Sequence, residues 1–348
     1  MKAAYLTGVR KLEILEVAEP TLENAADVLL RVDVVGVCGS DMHYYRHGRI
    51  GSQIIKFPWT VGHEFAGTVM QIGKDVTNLK VGDRVAVDPL IACGKCDQCR
   101  TGRVHTCRSQ KFLGCPGQAP GAITEYLVMP AHCCFPVPDS VTMVQAALVE
   151  PFSIGLYAAV LAGQTQGKRV GILGSGPIGL SVLSAVRARG ECTAYMTDIR
   201  DYRVDNALKA GADWAGNPRK GDVVRQILDQ APLGLDVVYE CAGEQETTDH
   251  GAALLGPGGQ LVLVGIPEVD RISFDCETMR RRELRVQNVR RQNECVAPAI
   301  EMVARKQVDL DAMVTHHFSI QETAKAFDTV ADYRDNVVKA MIHISDAK

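Results

Sequence analysis

The chain has 348 residues, of which 46% are hydrophobic and 23% charged, with a formal net charge of −3. That length allows two domains, each with its own core, and the charge gives no footing for a nucleic-acid or anionic-membrane partner. No apolar stretch is expected to reach the length of a bilayer span, and Met1-Lys2-Ala3-Ala4-Tyr5-Leu6 runs into a polar segment without the apolar region of a secretory signal. The cytoplasm is the default expectation, and twelve cysteines in such a chain suggest metal ligands before disulfides.

The first 35 residues read as β: Ala3–Leu6, Leu12–Val17 and Val28–Val35, separated by polar segments as in an antiparallel arrangement. The third run enters a turn, Gly36 to Tyr45, that gathers Cys38, Ser40, Asp41 and His43 within six residues. Next, Gly62-His63-Glu64 opens another apolar run, and ionisable groups buried there are costly unless they are paired or bind metal. Cys93, Cys96, Cys99 and Cys107 follow with spacing C-x2-C-x2-C-x7-C, which can close a tetrahedral thiolate site of the structural kind. Glu150 then closes an apolar segment just before Pro151. Cys38, His63 and Glu150 (or Glu64) supply a thiolate, an imidazole and a carboxylate. Three protein ligands with the fourth position open describe a catalytic zinc site. The remaining cysteines lack ligand spacing and read as packing residues.

From about residue 150 strands alternate with helices, as in a parallel sheet covered on both faces. The run Val170-Gly171-Ile172-Leu173 ends at Gly174-Ser175-Gly176-Pro177-Ile178-Gly179 and a helical pattern follows, which makes G-x-G-x-x-G a dinucleotide-binding signal. A second strand, Thr193–Thr197, ends at Asp198, where a ribose 2′-hydroxyl is normally gripped and a 2′-phosphate repelled. NAD is therefore expected over NADP, with Arg200 and Arg203 nearby as a counterweight. Further strands are read at Asp236–Cys241, Gly259–Gly265, Leu284–Val289 and Val337–Ile342, with helices over Pro298–Ala304 and Glu322–Phe327. Arg280-Arg281-Arg282 is too short a charge run to be a tail and reads as a solvated turn.

Taken together, the Cys38–Tyr44 segment, Gly62-His63-Glu64, the four-cysteine lobe, Glu150-Pro151 and the glycine loop resemble the zinc-containing medium-chain dehydrogenases, and among them the polyol (sorbitol or xylitol) dehydrogenases. The resemblance spans essentially the whole chain. It implies an α/β protein with a GroES-like β-rich catalytic domain, residues 1–149 and 290–348, carrying a structural zinc lobe at about 90–110. A Rossmann NAD-binding domain with a doubly wound parallel sheet would occupy 150–289. It further implies two zinc ions per chain, one on Cys38, His63 and Glu150 and one on Cys93, Cys96, Cys99 and Cys107, with Glu64 an occasional or water-linked ligand. Asp41 would orient the His63 ring, while Ser40 and His43 would pass the alcohol proton outward. Cofactor contacts are expected from Gly174, Gly176, Pro177, Ile178, Gly179, Asp198, Arg203 and Val264, and substrate contacts from Tyr44, Glu150 and Arg291. Gly39 stands where some simple-alcohol enzymes carry arginine, which favours the polyol branch. Arg290-Arg291-Gln292 departs from the Phe-Arg-Tyr often found in polyol enzymes and leaves aldonates open. The implied reaction is oxidation of a secondary hydroxyl to a ketose with hydride transfer to NAD, in a cytoplasmic homo-oligomer, tetramer or dimer. Rival readings are an aldonate, threonine or simple-alcohol dehydrogenase, and a non-enzymatic relative that would have no use for an open zinc position.

Overall fold

The computed structural model describes residues 1–345. These fold into two compact units. One comprises Met1–Glu150, Val296–Lys306 and the chain from Met313 on; the other comprises Pro151–Cys295 and Gln307–Ala312. In this division the first unit resumes at Val296. After the last strand Val289 N–H still donates to Leu263 O of the parallel sheet (2.9 Å), and the buried Gln292 then accepts locally from Cys295 N–H (2.8 Å).

The first unit is built on a seven-stranded sheet whose central member is Asp27–Gly36. Val32 and Val34-Val35-Gly36 in that strand are buried, as a near-continuous apolar run in a strand covered on both faces requires. On one side it pairs antiparallel with Glu64–Ile72, Gly36 opposite Glu64; on another it pairs antiparallel with Lys339–His343, Gly36 opposite Met341. Residues 36, 64 and 339 therefore meet at one end of three adjoining strands, although they are far apart in the chain. A core including Leu30, Val32, Val35, Phe65, Met129, Phe327 and Ile342 locks that register.

Three local readings change, the briefest being that Arg280 and Arg281 end the helix Cys276–Arg281, capped by Arg282, rather than lying in a turn. The segment after Gly36 is not a turn: Gly39–His47 is a helix. Cys38 is its N-cap, with Cys38 N–H donating to the Asp41 carboxylate (3.2 Å) in a capping box, and Gly48 ends it in the left-handed conformation (φ 67°). Its cap chemistry, not an apolar period, defines the element, which is why periodicity missed it. Likewise Glu150 does not close a segment, because Met143–Leu161 is one continuous helix with Pro151 inside it. That helix is long and apolar enough to cross a membrane by length and composition, contrary to expectation, but 72% of its apolar window is buried within the protein.

In the second unit six parallel strands run in the order Trp214–Gly216, Thr193–Thr197, Arg169–Leu173, Leu235–Glu240, Leu255–Leu263, Arg285–Asn288. In order of appearance that is 3-2-1-4-5-6, the doubly wound arrangement with its switch point between the first and fourth strands. The glycine loop leaves the first strand at this point, and the helix Pro177–Ala188 follows.

Candidate active site

The sheet end at residues 36, 64 and 339 and the capped helix together assemble a cluster in the first unit. Ligand atoms of Cys38, His63 and Glu64 all lie within 4.8 Å of one another. Cys38 comes from the helix cap and is partly exposed, whereas His63 and Glu64 enter from the buried strand start. Asp41 is 1% exposed, accepts from Gly62 N–H (3.2 Å) and sits 3.5 Å from His63 Nδ1, so it fixes the ring that presents Nε2 to the cluster. Ser40 Oγ stands 3.3 Å from Cys38 Sγ and 3.5 Å from His63 Nε2. Phe112 packs against the imidazole at a tilt of 55°, ring centroids 5.2 Å apart.

Sequence reading missed one member, Lys339. It is 1% exposed, donates to Val37 O (3.1 Å) and forms an ion pair with Glu64. A Cβ at Gly36 would run into this pair, 3.0 Å from Lys339 Cε and closer still to the carboxylate. Burial works against the Lys339 cation, but Glu64 and Cys38 outweigh it and raise its pKa. A lone lysine in the apolar run 337–342 was the available signal, the mirror image of Glu64 in its own apolar strand.

The charges of this cluster call for a cation. Desolvation, then Glu64, pushes the Cys38 thiol up. Burial drives Glu150 up to about 8, against the pull of His63. For His63, burial disfavours the cation, but Asp41 and Cys38 prevail and hold its pKa well above the usual value. A dication is what would return thiol and carboxyl to their ligating forms. Glu150, buried in the middle of its helix, lies outside the tight three-residue group but close enough to feel His63, Glu64 and Lys339.

Cys93, Cys96, Cys99 and Cys107 form the second group. Cys96 Sγ is 3.6 Å from Cys99 Sγ and 3.9 Å from Cys107 Sγ, and all twelve cysteines are free. A tetrahedron with Zn–S bonds of about 2.3 Å has edges of about 3.8 Å, so these sulfurs are spaced for zinc and too far apart for disulfides. Backbone N–H groups of Arg108 and Cys99 lower the Cys96 thiol to about 6, and Arg108 clamps Asp97 through two hydrogen bonds (2.6 and 2.8 Å) across the lobe.

In the second unit Gly174 adopts φ 102°, which an L side chain rarely takes, and a Cβ on Gly179 would collide with Gly174 O. Gly176 caps the helix that Pro177 and Ile178 begin. Asp198 is buried, accepting from Ser175 N–H on one oxygen and Arg200 N–H on the other (3.0 Å each). Arg203 Nη1 lies 3.7 Å from Asp198 and against Gly176. Val264 N–H donates to Glu240 O (2.8 Å). Arg291 belongs to this unit and is half-buried at φ 53°. Tyr44 is buried in the first unit, its hydroxyl donating to Gln53 Oε1 (3.0 Å), and His43 lies on the same helix, partly exposed.

Residues 24–139 match the family described as alcohol dehydrogenase GroES-like domain, and 177–305 match zinc-binding dehydrogenase. The chain is 35% identical to the sorbitol dehydrogenase of Bacillus subtilis (strain 168) over 99% of its own length and 97% of that protein's. The chain belongs to the zinc-containing medium-chain dehydrogenases. The L-idonate 5-dehydrogenase of Vitis vinifera is 32% identical over 98% of this chain and 94% of that protein. A zinc-binding dehydrogenase of Sinorhizobium meliloti 1021 bound to NADP superposes with a TM-score of 0.91 at 30% identity, covering 99% of each chain. This medium-chain dehydrogenase is accordingly an oxidoreductase of the alcohol dehydrogenase class, polyol-dehydrogenase-like, with zinc and a nicotinamide dinucleotide as its cofactors.

Proposed function

We propose that this dehydrogenase oxidises a secondary hydroxyl of a sorbitol- or xylitol-like polyol to a ketose with NAD as hydride acceptor. The observation that carries the reading is the Cys38–His63–Glu64 group, its histidine and glutamate buried and its cysteine partly exposed, with the Ser40 hydroxyl within 3.5 Å of two of its members. Cys38, His63 and Glu150 would hold the catalytic zinc, with Glu64 exchanging in or acting through water, and the four-cysteine lobe would hold the second ion. Bound there, the metal supplies a lowered hydroxyl pKa and the nicotinamide a hydride acceptor. Ser40 would relay the hydroxyl proton, accepting it on Oγ as its own proton passes on. His43, three residues on and on the same helix face, is the next carrier toward water. Tyr44, Glu150 and Arg291 would hydrogen-bond the neighbouring hydroxyls. The same reading includes a cytoplasmic homo-oligomer, dimer or tetramer, which light scattering would measure.

An aldonate is the second reading, favoured by the similarity to an L-idonate 5-dehydrogenase and by the adjacent Arg290 and Arg291. Initial rates of NAD reduction with xylitol, sorbitol, L-idonate, threonine and simple alcohols separate the two. A site built for several hydroxyls leaves about 1–3 kcal/mol per unpaired buried group when a plain alcohol binds. Polyols or aldonates should therefore lead in kcat/KM, and a simple primary alcohol leading the panel would refute the pocket assignment.

Elemental analysis should return two zinc ions per chain. Cys93→Ser should lower that to one and bring aggregation, since the lobe is closed around its thiolates. One ion or none in unmodified, carefully prepared protein would count against both assignments.

Cofactor choice should follow Asp198. A carboxylate a few ångströms from a phosphate is disfavoured by roughly 3–4 kcal/mol near a protein surface, so NAD should be preferred over NADP by about 10² or more. Asp198→Ala should erode the ratio, with Arg203 left to attract the phosphate. Equal use of both cofactors by the unmodified enzyme would contradict the role given to Asp198.

A further inference from the structure

Glu240 ends the strand Leu235–Glu240, immediately beyond the switch point, and is 1% exposed. Its Oε1 accepts three hydrogen bonds, from Ala242 N–H (2.8 Å), Gly243 N–H (2.8 Å) and the Thr247 hydroxyl (2.7 Å). Thr247 lies in the first turn of the helix Gln245–Leu254, so one oxygen fixes both the loop leaving this strand and the start of the helix after it. The backbone carbonyl of Glu240 accepts from Val264 N–H (2.8 Å) and Gly265 N–H (2.9 Å), which holds the loop leaving the fifth strand. Cys241 N–H donates to Leu173 O (2.8 Å), the residue just before the glycine loop.

These three loops are packed without slack. A Cβ at Gly174 would stand 3.0 Å from Ala242 N, and one at Gly265 would collide with Gly243 N and come within 2.8 Å of Glu240 Oε2. In a doubly wound sheet the ligand crevice lies outside the carboxyl ends of the strands beside the switch point, and the loops meeting at Glu240 form that rim. We infer that Glu240 is a positioning residue for the dinucleotide, holding the Gly174, Ala242–Gly243 and Val264–Gly265 backbones in the arrangement that receives it. Ala242 and Gly243 present adjacent N–H groups of the kind that bind anions, and here an internal carboxylate oxygen occupies them. The inference rests on the dinucleotide-binding reading of this unit. In the sequence, Glu240 is an acid at the end of the apolar run Val237-Val238-Tyr239.

The test compares Glu240→Ala, Glu240→Gln and Thr247→Val with the unmodified zinc-loaded protein. It measures NAD+ titration by calorimetry, steady-state kinetics, and hydrogen–deuterium exchange of the three loops without added dinucleotide. Glu240→Ala should raise the Kd for NAD+ by about ten-fold or more and raise its KM more than it lowers kcat, with faster exchange at Ala242, Gly243 and the start of the helix Gln245–Leu254, and less change at Val264 and Gly265, whose bonds run to the backbone carbonyl that alanine keeps. The glutamine oxygen can accept the same three bonds, so Glu240→Gln should stay within about three-fold, and Thr247→Val, losing one bond, should fall in between. Should the alanine variant fail to fold, the other two decide, since neither empties the site. Unchanged affinity and exchange in Thr247→Val or Glu240→Ala would overturn the inference, as would a glutamine variant as weak as alanine. An unmodified protein that takes up neither NAD+ nor NADP+ would instead sink the dinucleotide reading, and the exchange data would then stand alone on whether Glu240 holds the loops.

Discussion

Cys38→Ser should leave the fold intact and reduce turnover by roughly a thousand-fold or more. A catalytic metal contributes several kcal/mol of charge stabilisation, and each 1.36 kcal/mol is about a factor of ten in rate. Serine is a far weaker ligand than thiolate for zinc, but it fits the N-cap position that Cys38 occupies and is favoured there. Thermal stability of the first unit should accordingly stay near that of the parent while one zinc ion per chain is lost. The measurement is kcat with the best substrate, paired with metal content. A serine variant that keeps both ions and parental turnover would remove Cys38 from the ligand set.

Lys339→Met should have the largest effect on stability. Lys339 and Glu64 are both buried, and removing one member of such a pair typically costs about 3–5 kcal/mol because the other charge is stranded. Methionine keeps the length of the stem, so the loss reports on charge more than on packing. Adding Glu64→Leu should recover most of the deficit, since an apolar pair of similar volume is often neutral or better. Denaturant unfolding of the single and double variants supplies the comparison. If Lys339→Met were as stable as the parent, the ion pair would not be holding this sheet end together.

Legibility in the sequence tracked how local each signal was. The cysteine lobe was readable because its four thiols fall between residues 93 and 107, and the glycine loop because its turn and strand are contiguous. Asp198 and the alternation of strands and helices followed from the same short-range pattern. By contrast, the helix Gly39–His47 has no apolar stripe to announce it; a cysteine cap and Asp41 define it instead. The run through Pro151 was hidden because proline usually breaks a helix interior, whereas here the surrounding burial sustains it. Lys339 could not be paired with Glu64 from sequence at all, since nothing in either strand specifies that both flank Gly36 in one sheet. Glu64 and Glu150 were both legible as misplaced acids, but which one joins Cys38 and His63 most closely depended on that register.

The pairing of Glu64 with Lys339 also sets a timetable during synthesis. The two residues are separated by 275 positions. At about 5–20 residues per second on the ribosome, the lysine emerges on the order of tens of seconds after the glutamate. Throughout that interval the nascent N-terminal part carries Cys38, His63 and Glu64 without the cation that later neutralises the group, and with the central strand lacking one neighbour. Any zinc captured in that window would meet a more acidic and less enclosed set of donors than the finished protein offers. The growing chain is thus most exposed to picking up the wrong metal, or to pairing its open strand edge with another chain, before residue 339 arrives.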